Sequence, residues 1–430
     1  MTIVAMLLAG GQGSRLSILS QRRAKPAVPF GGAYRIIDFT LSNAMHAAIP
    51  YIGICTQYKP ASLMDHVGGG EAWGFTGRDR MCRILPPYTG EIDSDWYAGT
   101  ADAVWQNRQF IARFHPDLVV VLSGDHIYKM DYRRMIELHL QRRADVTLAV
   151  QQVPWEETSR FGVMQLGEDG RVVRFQEKPK KEPISNLGSL GVYVFDAELL
   201  LRRLQEDAAD PDSSHDFGKN IIPAMIAQDR VFGYEFDGFW RDVGTISSLM
   251  ETNMESLDPA SGLDLAAWQL RTNYFEPSSR NEVPALFGRS ASVRNSVVPR
   301  GCVVNGRVEN SILFPGVRVG SGASITNAIV MDNTFIAEDV VADNVIIDKN
   351  CVIDRASVIG CGPVVLNHEH PTMLDTGISV LGKGVKLPPG TKIGRNVLIF
   401  PGVSATDLPG SDIASGHTVN IRPETRRERG

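Results

Sequence analysis

The chain has 430 residues, more than one hydrophobic core of ordinary size can organise, so we expect two domains. A net charge of -5 argues against a nucleic-acid or anionic-membrane partner, and no apolar stretch is long enough to span a bilayer. The 5 cysteines form no C-x-x-C pair, and the N-terminus lacks a signal-peptide pattern. Together these features predict reduced thiols and a cytoplasmic protein.

A glycine-rich loop is the first feature with a chemical meaning. Residues 3–6 predict a buried strand, and three glycines follow within residues 10–13. Backbone N–H groups in such a loop can surround phosphate oxygens, and Arg15 and Lys25 would add positive charge. The spacing matches neither the P-loop nor the dinucleotide fingerprint, so the loop predicts a phosphate site of another kind.

Strand-like apolar runs alternate with helical patterns up to about residue 250. This alternation predicts an α/β domain with a Rossmann-like, mainly parallel sheet that binds its ligands at the carboxyl ends of the strands. The clearest predicted strands are residues 51–55, 118–122, 146–150 and 192–195, and residues 172–175 are also strand-like. The predicted helices include residues 101–114 and 133–143.

Two aspartates are candidate metal ligands. Asp125 comes just after the predicted strand at 118–122, and Asp242 lies in Trp-Arg-Asp-Val-Gly-Thr. Magnesium prefers a few carboxylate oxygens together with phosphates and water, so the two side chains could hold one ion over a triphosphate. Taken singly, each aspartate is more often a helix cap or a turn residue than a metal ligand. His126 has no nucleophile to activate and is interpreted as structural.

Two further motifs suit a sugar phosphate and a base. In Glu177-Lys178-Pro179 the carboxylate could accept sugar hydroxyl groups while the ammonium meets the phosphate, although a Glu-Lys pair before proline, taken alone, is usually a solvated turn. The small residues that begin at Gly99 and Thr100 leave room for a flat purine, although Thr100 could simply cap a helix.

The pattern changes to a period of six from about residue 290. No helix uses this period, whereas a left-handed parallel β-helix stacks equivalent positions into one apolar core. An insertion between 361 and 380 interrupts the repeat. The repeat positions are Val317, Ala323, Ile329, Phe335, Val341, Ile347, Ile353 and Ile359, then Leu381, Leu387, Ile393 and Ile399. The predicted domains are residues 1–250 (catalytic), 251–289 (connection), 290–412 (β-helix) and 413–430 (basic tail).

Nine motifs in the first 250 residues carry a family resemblance. They are Leu-Ala-Gly-Gly-x-Gly-Ser-Arg-Leu (8–16), Arg-Ala-Lys-Pro-Ala (23–27), Arg-Ile-Ile-Asp-Phe (35–39), Gly-Thr-Ala-Asp-Ala (99–103), Gly-Asp-His-Ile-Tyr-Lys (124–129), Phe-Gly-Val-Met (161–164), Glu-Lys-Pro (177–179), Ser-His-Asp-Phe-Gly-Lys (214–219) and Trp-Arg-Asp-Val-Gly-Thr (240–245). In this order they resemble the bacterial glucose-1-phosphate adenylyltransferases, which belong to the sugar-nucleotide pyrophosphorylases.

The resemblance implies a reaction and a set of site residues. ATP and α-D-glucose 1-phosphate would give ADP-glucose and pyrophosphate, the committed step of glycogen synthesis, in a regulated homotetramer that uses Mg²⁺. The implied nucleotide-binding residues are Gly10, Gly11, Arg15, Lys25, Gln57, Gly99 and Thr100. The implied glucose 1-phosphate ligands are Tyr97, Gly162, Glu177, Lys178 and Ser189, and the implied metal ligands are Asp125 and Asp242. The implied catalytic residues are Arg15, Lys25, Asp125 and Lys178, and anionic effectors are implied to bind Arg22, Arg23 and Arg35.

Several alternatives stay open at this point. A relative could transfer uridylyl or thymidylyl groups, or carry an acetyltransferase in its β-helix with His368 or His370 as the base. A silent regulatory subunit would lack some of the charged residues above, yet all are present. Ala98 stands where relatives often have a longer polar residue, which puts contacts from that loop to the nucleotide in doubt. The three arginines could also form a solvated basic face.

Overall fold

A computed structural model of the chain describes residues 1–11, 13–87, 96–274 and 283–421. These residues divide into two compact units, one built from 1–11 and 37–240 and the other from 13–36 and 241–421. Within the described ranges, none of the helices combines the length and the apolarity that crossing a bilayer requires.

The chain up to residue 274 contains all the α-helices of the described ranges and the first thirteen strands. The helices are α1 (Ile36–His46), α2 (Ala61–Val67), α3 (Thr100–Gln106), α4 (Arg108–Ala112), α5 (Tyr132–Arg142), α6 (Ala197–Ala208), α7 (Ile222–Gln228) and α8 (Ile246–Glu255). The strands are β1 (Ile3–Leu8), β2 (Pro29–Phe30), β3 (Tyr34–Arg35), β4 (Tyr51–Cys55), β5 (Met81–Leu85), β6 (Leu118–Ser123), β7 (His126–Tyr128), β8 (Val146–Gln152), β9 (Gly162–Leu166), β10 (Val172–Glu177), β11 (Leu187–Asp196), β12 (Val231–Glu235) and β13 (Trp240–Asp242).

The first unit is organised around a nine-stranded sheet. Its main path runs β10-β9-β11-β6-β1-β4-β5, and β8 pairs with both β11 and β12. Strands β6, β1 and β4 are parallel, as the apolar runs predicted, and β5, which was not among the predicted strands, extends this parallel set. Strands β9, β10 and β11 add antiparallel pairs at one side. Because β1 lies between β6 and β4, the carboxyl ends of these three strands share one edge of the sheet.

The predicted helix over residues 101–114 is divided into α3 and α4. Asn107 lies between them with φ -97° and ψ 17°. Its side-chain amide donates hydrogen bonds to the Ala103 carbonyl oxygen at 2.8 Å and to the Tyr97 hydroxyl oxygen at 2.9 Å. An asparagine amide that bonds to nearby groups competes with regular helix, which explains the break.

The second unit contains the parallel β-helix. Its strands are short, and equivalent strands of successive coils pair in parallel in two sheets of six and eleven strands. They are β14 (Leu286–Phe287), β15 (Ser292–Arg294), β16 (Val303–Val304), β17 (Arg307–Glu309), β18 (Ile312–Leu313), β19 (Arg318–Val319), β20 (Ser324–Val330), β21 (Phe335–Ile336), β22 (Val341–Ile347), β23 (Val352–Ile353), β24 (Val358–Cys361), β25 (Ser379–Leu381), β26 (Lys386–Leu387), β27 (Lys392–Gly394), β28 (Leu398–Ile399), β29 (Asp412–Ile413) and β30 (Thr418–Val419).

The strict six-residue repeat was wrong at two positions. Phe335 and Val341 are 42% and 43% exposed, whereas their neighbours Ile336 and Ala342 fill the core. The reason is the coil length, since Ile312 pairs with Ile329, 17 residues later, rather than 18 as three hexapeptides would give. This coil is therefore one residue shorter than three hexapeptides, and a shift of one residue turns a strand side chain to the other face.

A row of asparagines marks the corner where each coil turns. Asn295, Asn310 and Asn327 all have positive φ, between 43° and 48°. The Asn295 amide donates to the Asn310 side-chain oxygen at 3.0 Å, and the Asn310 amide donates to the Asn327 side-chain oxygen at 2.7 Å. Asparagine tolerates the left-handed region better than most residues, so it can both turn the chain and link successive coils.

The repeat resumes after the inserted loop, as predicted. Positions Leu381, Leu387, Ile393 and Ile399 are buried, at 0 to 2% exposure. The insertion is held by Asn367, which is fully buried and donates to the Asn396 carbonyl oxygen at 3.0 Å. Strand pairing continues to residues 418–419, inside the segment assigned to the tail, and residues 422–430 lie outside the described range.

Strand β22 offers a matched test of the observed core. We expect Val345→Ala, at a fully buried position, to lower the free energy of unfolding by about 1.5 to 3 kcal/mol, because two buried methyl groups are lost and a cavity forms. Val341→Ala on the same strand should change it by under about 1 kcal/mol. Chemical denaturation measures both, and equal effects would contradict the inward and outward assignment.

Candidate active site

Residues predicted to bind the nucleotide meet at the carboxyl edge of β1 and β4. A Cβ on Gly10 would lie 3.4 Å from the Cβ of Gln57. The Gln57 amide donates to the Tyr97 carbonyl oxygen at 3.3 Å. The backbone N–H of Ala9 donates to the Cys55 carbonyl oxygen at 2.8 Å, which fixes the start of the glycine loop against the end of β4.

Asp125 follows β6 at the same edge. The Ser123 hydroxyl donates to its carboxylate, and His126 Nε2 lies 3.3 Å from Asp125 Oδ1. The Asp125 side chain is about a third exposed, at 31%. The His126 ring packs against Trp240 with a centroid distance of 4.9 Å.

Gly99 and Thr100 lie against the motif Ser-His-Asp-Phe-Gly-Lys. A Cβ on Gly99 would lie only 2.2 Å from the His215 carbonyl oxygen, so glycine is required for this close approach. The Thr100 hydroxyl donates to Asp216 Oδ2 at 3.0 Å and accepts from the Phe217 N–H at 3.0 Å. Thr100 therefore joins the two motifs rather than capping its own helix.

Asp216 is a residue whose position the sequence reasoning missed. Besides the Thr100 hydroxyl, its carboxylate accepts the backbone N–H groups of Gly218 and Lys219 at 3.0 and 3.1 Å. Gly218 in turn lies against Glu177, because a Cβ on Gly218 would be 2.6 Å from Glu177 Oε2. Asp216 thus links residues predicted for the nucleotide with residues predicted for the sugar. In the sequence, Asp216 was marked by its place in the motif Ser-His-Asp-Phe-Gly-Lys.

Glu177 and Lys178 form the centre of the predicted sugar-phosphate group. Glu177 Oε2 would also be 2.8 Å from a Cβ on Gly162, so the carboxylate lies between two glycines. Lys178 Nζ is 3.3 Å from Glu177 Oε1 and its side chain is 62% exposed. Its backbone has φ 44°, a strained value for lysine, and its N–H donates to the Phe161 carbonyl oxygen at 3.0 Å.

Ser189 and Tyr97 have different surroundings. The Ser189 hydroxyl lies 3.3 Å from the Tyr193 hydroxyl, and desolvation raises the pKa of Tyr193 to about 12, so this phenol stays protonated at neutral pH. Tyr97 is 7% exposed, and its hydroxyl donates to the Leu85 carbonyl oxygen at 3.0 Å. The Tyr97 hydroxyl is therefore engaged in a hydrogen bond inside the core.

Within the second unit, Asp242 lies beside two cationic side chains that are predicted to bind the triphosphate. Lys25 Nζ lies 3.2 Å from Asp242 Oδ1, and Arg15 Nη2 lies 3.9 Å from Asp242 Oδ2. The side chains of Lys25 and Asp242 are each 7% exposed, whereas Arg15 is 58% exposed. A carboxylate between two cations keeps the local charge near balance while leaving Arg15 accessible to an anion.

The three arginines predicted to bind effectors do not form one solvated basic face. Arg22 is exposed, but Arg23 and Arg35 are only 4% and 5% exposed. Arg35 donates to the Ala27 carbonyl oxygen at 3.1 Å, and Arg23 donates to Asp348. Arg22 alone offers an exposed guanidinium.

The cysteines are free thiols, as the sequence predicted, and four of the five are buried. Burial raises the pKa of Cys55 and Cys82 to about 12 and that of Cys302 to about 11. A thiolate is the nucleophilic form, so these cysteines are unsuited to covalent catalysis at neutral pH.

Two parts of the chain match known families. Residues 4–258 match the nucleotidyl transferase family, and residues 283–381 match the GlmU-like C-terminal hexapeptide family.

Three curated relatives extend this similarity, and each is a glucose-1-phosphate adenylyltransferase. The protein from Acetivibrio thermocellus is 42% identical over 427 residues, which cover 98% of this chain and 99% of the relative. The protein from Thermomicrobium roseum is 47% identical over 97% of both chains. The protein from Geobacillus stearothermophilus is 51% identical over 75% of this chain and 82% of the relative.

Two glycine substitutions separate ligand contact from folding. A Cβ on Gly11 meets nothing within 4 Å, so we expect Gly11→Ala to keep the stability of the parent while raising the KM for ATP about tenfold, because only a ligand would meet the methyl group. Gly99→Ala should also lower the free energy of unfolding, by about 1 to 3 kcal/mol, through its clash with His215. Steady-state kinetics and denaturation test both, and an unchanged ATP KM in Gly11→Ala would remove Gly11 from the site.

Proposed function

We propose that this chain, which belongs to the glucose-1-phosphate adenylyltransferase family, transfers the adenylyl group of ATP to α-D-glucose 1-phosphate and releases pyrophosphate. The observation that carries this proposal is the 42% identity along nearly the full length of a relative with that name. The product is ADP-glucose. The chain is an enzyme of the nucleotidyltransferase class.

The proposed nucleotide ligands form two groups. Gly10, Gly11, Gln57, Gly99 and Thr100 surround the base and ribose with backbone groups and small side chains. Arg15 and Lys25 neutralise the triphosphate. The exposure of Arg15 supports this role, because its guanidinium is free of the core while its position next to Asp242 limits its range.

The proposed glucose 1-phosphate ligands are Glu177, Lys178, Gly162, Ser189 and Tyr97. A carboxylate between two glycines suits the hydroxyl groups of a sugar, and the exposed Lys178 ammonium suits its phosphate. Since the Tyr97 hydroxyl bonds within the core, we propose that Tyr97 acts through its backbone and ring edge.

Asp125 and Asp242 fit Mg²⁺ by the chemistry of their donors, because both supply hard carboxylate oxygens and both stand beside groups that hold them in place. When bound, Mg²⁺ would supply positive charge to the triphosphate oxygens.

The chemistry needs no protein nucleophile. An oxygen of the sugar phosphate attacks the α-phosphorus of ATP in line, and pyrophosphate leaves with the bonding electron pair. The side chains therefore act by orientation and by neutralising charge that develops on the leaving group, the roles assigned to Arg15, Lys25 and Lys178. The raised pKa of the buried cysteines agrees with a direct transfer.

Biological context is proposed from the family. It comprises glycogen synthesis, a cytoplasmic location, a homotetramer, and control by anionic metabolites that bind near Arg22, with Arg23 and Arg35 behind it. The exposure of Arg22 supports contact with an effector. The burial of Arg23 and Arg35 restricts them to supporting that contact.

Phosphate release in a coupled assay tests the reaction directly. The enzyme is incubated with ATP, glucose 1-phosphate, Mg²⁺ and pyrophosphatase, and the product is identified by chromatography. ADP-glucose is the expected product, and omission of glucose 1-phosphate is the blank. Turnover with UTP or dTTP in place of ATP would establish a different nucleotide specificity, and no turnover with any of them would indicate a regulatory subunit.

Substitution of either proposed metal ligand should reduce turnover. Asp125→Asn and Asp242→Asn remove one anionic oxygen each, so we expect kcat to fall about a hundredfold to a thousandfold, or about 2 to 4 kcal/mol in the barrier. Asp237→Asn, an exposed aspartate close in sequence to Asp242, is the matched control. Near-parental kcat at saturating Mg²⁺ would exclude the substituted residue from the metal site.

Lys178 should affect the binding of one substrate, glucose 1-phosphate. Lys178→Ala removes an ammonium from the sugar phosphate, so we expect the KM for glucose 1-phosphate to rise about tenfold to a hundredfold while the KM for ATP stays within about twofold. Lys180→Ala, also exposed, should leave both constants near those of the parent. A selective loss of ATP affinity in Lys178→Ala would reverse the assignment of the two subsites.

A further inference from the structure

A cluster of four charged side chains is buried in the second unit. Arg23 Nη2 donates to both carboxylate oxygens of Asp348, at 2.8 and 3.0 Å, and the two side chains are 4% and 2% exposed. Lys349, which follows Asp348 in the sequence, forms a second pair. Its Nζ lies 3.2 Å from Asp332 Oδ2, and the two side chains are 10% and 7% exposed. A buried charge is costly without its partner, so Arg23 is fixed wherever Asp348 is fixed.

Asp348 belongs to the rigid frame of the β-helix. It follows β22, its backbone N–H donates to the Leu381 carbonyl oxygen at 2.9 Å, and its carbonyl oxygen accepts the Thr334 hydroxyl at 3.0 Å. These bonds connect three successive coils. The carboxylate is consequently held by elements that have no part in the proposed substrate contacts.

Arg23 belongs to the segment 13–36, which carries Arg15 and Lys25. Only Ala24 separates Arg23 from Lys25, and both Ala24 and Lys25 are buried. A second anchor lies eight residues further on, where the Gly31 N–H donates to Asn253 Oδ1 at 2.9 Å. Arg23 and Gly31 are both anchored, and the buried turn between them contains Lys25, so we expect a movement of Arg23 to displace Lys25.

We infer that Asp348 is a positioning residue for the proposed reaction: through Arg23 it sets the place of Lys25 and therefore the affinity for the triphosphate of ATP. This inference rests on the proposed function, in which Lys25 neutralises the triphosphate. It assigns the β-helix a defined kinetic role, since the carboxylate that orients a phosphate-binding cation comes from a coil of that domain.

Asp348→Asn tests the inference in the full-length enzyme. The substitution keeps the shape of the side chain but removes the charge that holds Arg23, so we expect the KM for ATP to rise about tenfold while the KM for glucose 1-phosphate stays within about twofold. Asp343→Asn is the control, because it breaks the Arg395–Asp343 pair of the same domain, and both residues of that pair lie outside segment 13–36. Equal shifts in the two KM values, or an effect of Asp343→Asn as large as that of Asp348→Asn, would overturn the inference.

A double-mutant cycle with Lys25 separates positioning from general loss of structure. In the Lys25→Ala background, Asp348→Asn should change the ATP KM by less than about twofold, because the group it positions is already gone. The same tenfold change in both backgrounds would refute the inference. Arg23→Lys, which keeps the charge but loses the two-oxygen contact, should raise the ATP KM in the same direction and serves if Asp348→Asn does not fold. A parent enzyme that makes no ADP-glucose would refute the proposed function instead.

Discussion

Strand β1 has parallel neighbours on both sides, and the candidate site in the first unit depends on that pairing. The register with β4 and β6 brings the glycine loop, the loop that begins after Cys55 and the loop that carries Asp125 to one edge of the sheet. Residues 9–11, 56–57 and 124–125 of these loops are in neither a helix nor a strand. Their positions follow from hydrogen bonds at the ends of buried strands, so the rigid sheet holds the residues of the candidate site in fixed positions.

The α/β sheet and the β-helix could both be predicted from apolar patterning, because burial imposes a period that the sequence must follow. The details that failed were set by small energies and by tertiary context. Phe335 and Val341 share the apolar character of true core positions, and only the closure of a coil in 17 residues turns them outward. The break at Asn107 depends on a hydroxyl from Tyr97, ten positions away, which no helical pattern records.

The candidate site divides in the same way between local and distant information. Glu177 and Lys178 are adjacent in sequence, so their proximity could be foreseen, and the glycines around them are part of recognisable motifs. The contact of Asp216 with Thr100 and that of Arg23 with Asp348 could not be foreseen, since the two residues of each pair are more than a hundred positions apart along the chain. A charged residue in a motif shows its chemistry in the sequence, but whether it faces a ligand or a buried partner is decided by the fold.

The placement of segment 13–36 within the second unit has a consequence for synthesis of the protein. Its partners Asp242, Asn253 and Asp348 are made more than two hundred residues after it, and the last is 325 residues beyond Arg23. At about 5 to 20 residues per second, a ribosome needs roughly 15 to 65 s to reach that point. During this time a basic segment near the N-terminus has been synthesised but its native acidic partners have not. The two cations next to the glycine loop are therefore among the first residues translated and among the last to reach their final positions.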